Sequence, residues 1–403
     1  MANLYIMTPQ EAFKLVNQFA DDVEIDNLLV DLLRAPSPQT ELQEADPKLK
    51  KFVAEYVAPR LEALTGSAAT LDGMGNLVWQ CGANTGAPGL LFMGYAMTFP
   101  AGGMKEPFSG EIVDGAPFGI AGNCAMGRGA CEQKGALAAM MYASAIVARS
   151  KSNLRAPLYL AVSLAGETGR HDAAKFILEN NPIAAKAGIV GLGTTNRICL
   201  GNKGRIDVEI TVRGKSAHSS MPRDGINAVD GARKVLERLD RLSLGGEHTG
   251  LGKATLTVTQ IKSAPEISHT VPDTCRITLD RRLLPGDDPD VALEEIRNAL
   301  ANLSPWSIEV TGGAFMFPSE VSGDCALAAA VGSACRAFNG QAGEVFYSPA
   351  ALDAGYLNRR AIETIMFGPG DLRFAHTDQE VVSLQEVRAA ARIYAATALE
   401  VLA

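Results

Sequence analysis

A change of rhythm near Leu200 constrains the fold of this chain more than any other feature. Before it, strand-like runs alternate with helical ones: LVWQ at Leu77 to Gln80, LLFMG at Leu90 to Gly94, the helical KGALAAMMYASAIVA, the strand PLYLAVSL, the helix HDAAKFILENN and the strand AGIVGL. Alternation of this kind implies a mainly parallel α/β sheet covered on both faces. After it come RIDVEITVRG, INAVDGARKVLERLDRL, ATLTVTQI, CRITLDRRL, DPDVALEEIRNALANL and WSIEVTG. Strand, helix, strand, strand, helix, strand is the ferredoxin-like α+β order. Residues 200–312 are therefore expected to form an inserted domain, and 1–199 with 313–403 the α/β domain around it.

Capping signals mark the outer helices. Thr8-Pro9-Gln10-Glu11 combines an N-cap, a proline at the first helical position and a capping-box glutamate. The helix it starts should end near Leu33 and Arg34, because Ala35-Pro36-Ser37-Pro38 cannot continue it. A second should run from Asp46-Pro47 to about Leu64, and Ser383 with Glu386 opens a last one.

Of the 403 residues, 47% are hydrophobic and 20% charged, which fits a folded chain of two domains. The net charge of −8 disfavours nucleic acid or an anionic membrane as partner. No run reads as a membrane span, and MANLYIMTPQEAF has no basic region followed by an apolar one, so a cytoplasmic location is expected. The seven cysteines lack metal-ligand spacing and read as small buried hydrophobes. Cys131 and Cys124, close to Glu132, are the two to weigh as thiol nucleophiles.

Three residues carry the chemistry. Glu167 in GETG closes the strand LYLAVSL, His376 lies in GPGDLRFAHTDQE after the strand AIETIMFG, and Glu132 lies in GRGACEQKG. Loops beyond the carboxyl ends of strands converge in open α/β sheets. Two carboxylates and an imidazole form an oxygen and nitrogen set suited to one divalent cation, zinc or alternatively manganese or cobalt, with positions left for water. The same cluster also suits a metal-free acid and base role, or a polar remnant holding no metal.

The segments GRGACEQKGALAAM, GETG, GKSAHSSMPRDGINAV, TVPDTCRITLDRRLLPGDD and FGPGDLRFAHTDQEVV occur in that order across nearly the whole chain. In them the chain resembles the zinc-dependent aminoacylase, acetylornithine deacetylase and succinyl-diaminopimelate desuccinylase family of metallopeptidases. The resemblance implies a catalytic α/β domain, a ferredoxin-like lid that mediates homodimerisation, and a small carboxylated substrate cut at an amide or related C–N bond.

It also exposes departures. The family's two metals share a bridging aspartate, here Glu132. Where the first metal's own histidine and acidic ligand stand, this chain has Tyr95 and Leu192, and Met97 replaces the aspartate that orients that histidine. The resemblance thus leaves one metal at Glu132, Glu167 and His376. The family's Glu-Glu pair reads Gly166-Glu167, so the general base is missing; Glu132, Tyr95, Asp353, His171 and Asp172 are the candidates to replace it. For His171 and Asp172 the favoured alternative is a helix-start pair on the backbone N–H groups.

In the lid, His218 of KSAHSSMP resembles the histidine that polarises the scissile carbonyl. Arg282 of DRR resembles the substrate-carboxylate ligand, a task suited to a bidentate guanidinium, although Arg281 and Arg282 also read as solvated strand residues. His269 stands where relatives have asparagine and is a candidate substrate contact. Gly368 and Gly370 of the GPG turn could offer backbone N–H groups to an oxyanion or carboxylate. Three readings follow: a divergent one-metal amidohydrolase, a metal-independent enzyme, and a ligand-binding relative without turnover.

Overall fold

The computed structural model describes residues 7–83, 85–166 and 168–403. Glu167, one of the three chemistry-bearing residues, lies outside the described residues. The chain forms two compact units, Met1–Gly201 with Glu320–Tyr347 and Tyr356–Ala403, and Asn202–Ser319 with Ser348–Gly355.

The first unit is built on a mixed sheet. Leu158–Ser163, Gly89–Tyr95, Ala185–Gly191 and Glu363–Phe367 run parallel side by side at its centre. Leu77–Cys81 and Ile198–Asn202 add to the two sides antiparallel. Every residue of Gly89–Tyr95 is buried, as a strand covered on both faces requires. The helix Gly135–Ser150 is buried from Gly135 to Val147 and packs against Leu384–Leu402. An all-apolar helix of this kind is stable only inside a core.

Three local features depart from expectation. The first predicted helix is two, Pro9–Phe19 and Asp22–Arg34, because Asp21 accepts the N–H groups of Val23 at 2.8 Å and Glu24 at 3.2 Å and caps a new start. The second passes through a π turn, Val53–Val57, between Pro47–Phe52 and Ala58–Thr65; Pro59, lacking an N–H, follows directly. The third is a small antiparallel sheet, Glu111–Asp114, Asn123–Met126 and Val381–Ser383, that the strand pattern did not reveal.

The second unit is an antiparallel sheet in the order Thr255–Ala264, Thr274–Leu283, Gly204–Arg213, Ser307–Met316. Ala228–Leu239 and Pro289–Ala299 pack on it through Val235 and Ile296, against Ile206, Val208, Ile210 and Val212. This is the expected ferredoxin-like order. Its last strand runs beyond Gly312, so the unit extends to Ser319, and residues 348–355 also belong to it.

Helix docking in the first unit uses a partly buried ion pair. Arg149 gives two hydrogen bonds of 2.6 Å to Glu24, and the Tyr142 hydroxyl donates a third at 3.0 Å. The bond from Arg149 is the main cause holding the Glu24 carboxyl below its ordinary value of 4.5. A carboxyl depressed in the folded state stabilises above its unfolded pKa and ceases to do so as pH falls through the folded one. Glu24→Gln should therefore melt below wild type at neutral pH, the gap closing in acid below the depressed pKa, as followed by circular dichroism. A gap independent of pH would contradict this pairing.

Candidate active site

The small sheet assembles the site. Asn123–Met126 pairs with Val381–Ser383 in the register Met126 to Val381 and Cys124 to Ser383. The segments 127–132 and 376–380, distant in sequence, are thereby drawn together. A buried ion pair locks them. Arg128 Nη1 lies 2.9 Å from Glu380 Oε2, with both side chains fully buried. The same carboxylate accepts the N–H groups of Gly129 at 2.9 Å and Cys131 at 3.3 Å, while Arg128 Nη2 donates to the Ala101 carbonyl at 2.8 Å. Burial pushes the Glu380 carboxyl up, opposed by the Gly129 N–H and by Arg128.

Gly129 makes the turn possible. Its φ is 82°, and a Cβ there would stand 2.3 Å from Thr98 Cγ2. The chain then enters a π turn, Ala130–Lys134, that opens the central helix and carries Glu132. Lys134 points inward and gives Nζ to the Ala35 carbonyl at 2.7 Å; burial drives its amine down to about 7.

His376 Nε2 meets Glu132 Oε2 at 3.0 Å. The carboxylate side chain is 15% exposed and the imidazole 42%. His376 sits at φ 63°, unusual for a residue with a side chain. Its ring stacks on Phe99, centroids 3.9 Å apart and planes 14° apart. Two of the three expected ligand residues thus converge. Among the described residues no group of three His, Cys, Asp or Glu side chains does so.

Tyr95 ends its strand at 3% exposure, and Leu192 is buried at 5%. Gly166 lies against the tyrosine: a Cβ on it would be 3.3 Å from Tyr95 Cβ and 3.1 Å from the Met97 carbonyl oxygen. The glycines of the GPG turn are already engaged. Gly368 gives its N–H to Thr194 Oγ1 at 3.1 Å and Gly370 to Glu386 at 2.8 Å, so neither offers a free donor to a ligand. Close approach explains Gly370, since a Cβ there would stand 2.3 Å from the Cys131 carbonyl oxygen.

The thiols are inert by position. Burial, and then the Glu380 charge, raises Cys131 well above its usual value, and burial also raises Cys124. His171 makes no capping bond at the start of Asp172–Asn180; it is buried with its ring beside Tyr356, 5.4 Å between centroids. Asp172 lies 3.9 Å from Arg170. Asp353 is a buried residue of the second unit.

In the second unit, His218 and Thr270 are register partners, and the Ser219 N–H bonds to the His269 carbonyl at 3.0 Å. Both histidines are exposed. His218 Nδ1 accepts the Ser220 N–H at 3.2 Å and lies 2.7 Å from its hydroxyl, which assigns the proton of a neutral imidazole to Nε2. Arg282 holds Asp280 of its own strand through Nε at 2.8 Å and Nη2 at 3.1 Å. Arg281 is buried rather than solvated, donating to the carbonyls of Arg282 and Leu244.

Residues 200–307 match the family model of the peptidase dimerisation domain, M20_dimer. An Escherichia coli K12 protein known as uncharacterised YgeY is 27% identical over 97% of this chain and 98% of its own length. Acetylornithine deacetylase of Myxococcus xanthus is 28% identical over 64% of this chain and 68% of its own. The structure of an M20 family metallo-carboxypeptidase from Sulfolobus solfataricus superposes with a TM-score of 0.74 at 18% identity, over 92% of this chain and 97% of that one. The chain carries the M20 peptidase dimerisation domain and has the fold of the M20 peptidases. The matched residues fall almost entirely in the second unit, Asn202–Ser319 with Ser348–Gly355.

Arg128, Glu380, Phe99 and Lys134 escaped sequence reasoning. Glu380 follows His376 by four residues, and Arg128 precedes Glu132 by four, but nothing in the sequence separates a buried pair from two solvated charges. Arg128→Met should cost about 3–5 kcal/mol by leaving Glu380 buried and unpaired. Urea denaturation measures it; a cost under about 1 kcal/mol, typical of an exposed pair, would refute the burial.

Proposed function

We propose that the chain hydrolyses an amide or related C–N bond of a small carboxylated substrate, using one divalent cation rather than two. The carrying observation is the 3.0 Å approach of His376 Nε2 to Glu132 Oε2. Two donors each about 2.0–2.1 Å from a tetrahedral zinc stand about 3.3 Å apart, so a small separation of the pair admits a cation. Glu132 and His376 would hold it with Glu167. A phenol and a buried leucine at 95 and 192 supply no comparable set for a second.

When bound, the cation would polarise the scissile carbonyl and acidify water. The remaining work falls to the chain's own groups. His218, with its Nδ1 engaged by Ser220, is left with an Nε2–H donor suited to a developing oxyanion. Arg282 and His269 are proposed to meet the substrate, and a substrate carboxylate would compete with Asp280 for the Arg282 fork. With glycine at 166, proton acceptance falls to Glu132 or Tyr95. The lid is proposed to pair two copies of the chain into a homodimer.

A second reading is favoured by the same hydrogen bond: Glu132 and His376 form a carboxylate–imidazole pair able to move a proton without a metal. Elemental mass spectrometry of purified wild type and His376→Ala separates the two. About one zinc, manganese or cobalt per chain, lost in the variant, is the expected result, together with turnover of N-acyl or N-carbamoyl acids that chelation abolishes and zinc restores. Absence of metal from both after incubation with these ions would overturn the one-cation reading, and turnover insensitive to chelation would establish the other.

A further inference from the structure

The Glu132–His376 pair has a neighbour that neither reading uses. Phe99 lies face to face with the imidazole, 3.9 Å between centroids at 14°. The histidine belongs to a loop, its side chain is 42% exposed, and its backbone is left-handed. A half-exposed imidazole on such a loop has several rotamers open to it. The one observed faces Glu132.

The ring, by contrast, is rooted. Thr98 donates its N–H to the Ser37 carbonyl at 2.9 Å, and its own carbonyl accepts the Gln39 N–H at 2.8 Å. Thr98 is fully buried, and its methyl group fills the space beside Gly129. The Arg128 guanidinium also lies over the Phe99 ring, 5.7 Å from its centroid, and is itself fixed by Glu380 and the Ala101 carbonyl. The buried ion pair that places Glu132 therefore also borders the ring that faces His376.

We propose that Phe99 is a positioning residue for His376: its face fixes the imidazole plane so that Nε2 addresses Glu132. The proposal rests on the reading of that pair as the functional centre. Stacking does here what a hydrogen-bonded carboxylate or carbonyl commonly does for a ligand histidine, without itself engaging a ring nitrogen.

The chain has five histidines, which makes the test spectroscopic. In metal-free protein, His376 is identified by the resonances lost in His376→Gln. Its ring protons should lie upfield of those of the exposed His218 and His269, shifted by the face of Phe99. Phe99→Leu should return them to the ordinary position without moving the lid histidines, and Phe99→Tyr should keep the shift. A His376 signal at the ordinary position in wild type, or one unmoved in Phe99→Leu, overturns the proposal. If the leucine variant does not fold, the wild-type and tyrosine spectra decide.

Zinc titration against a competing chelator is the second measurement. Phe99→Leu should bind about 10- to 100-fold more weakly, as loss of support behind a ligand commonly does, and Phe99→Tyr near wild type. Equal zinc affinity in wild type and Phe99→Leu would also count against the proposal. Zinc binding to none of them would sink the one-cation reading and leave the ring shift as the sole arbiter of the positioning role.

Discussion

The site depends on one buried ion pair. Glu380 and Arg128 lie 252 positions apart in sequence, and no solvent reaches either. Such a pair contributes little net stability compared with apolar residues of the same volume, because desolvation offsets most of the attraction. Its structural effect is directional. One carboxylate gathers a guanidinium and the backbone N–H groups of Gly129 and Cys131, which ties the loop before Glu132 to the segment after His376. The small sheet sets the register of the two segments; the ion pair fixes their distance. Together they place a carboxylate and an imidazole at hydrogen-bonding range without either residue belonging to the large parallel sheet.

Most of the fold was legible in the sequence, for identifiable reasons. Apolar runs such as LLFMG and LYLAVSL bury both faces, so their strand character survives any choice of partner. The second unit was readable because its six elements are long and periodic and come in a diagnostic order. The failures share a scale. Asp21 restarts a helix with a single side chain, and Asn123–Met126 is four residues of mixed polarity that become a strand only because Val381–Ser383 and Glu111–Asp114 lie beside them. Tertiary context, not propensity, decides such pieces.

The site was legible as a set of residue types and not as a geometry. Glu132 and His376 were singled out and do meet. Glu380 and Arg128 were invisible, since burial of a charge depends on a partner hundreds of residues away. The Asp280 partner of Arg282 could have been found: residues two apart in a strand share a face, and the sequence DRR offers an acid at that spacing. The GPG turn illustrates the opposite error. Its N–H groups do point at acceptors, but Thr194 and Glu386 of the same domain supply them.

Tyr95 and Gly166 lie side by side. A Cβ at 166 would approach Tyr95 Cβ to 3.3 Å and the Met97 carbonyl oxygen to 3.1 Å. The crowding comes from backbone and Cβ atoms, so glycine is the residue that fits at 166 without displacing that strand end. The groups proposed to accept a proton are then Glu132, whose carboxylate also meets His376 at 3.0 Å, and Tyr95. A carboxylate committed to a cation is a poor base, and one committed to an imidazole is a good relay. On the proposed reading the chemistry turns on that one side chain: with a cation present Glu132 would be a ligand and the proton would leave by another route, and without one the Glu132–His376 pair would itself be the acid and base.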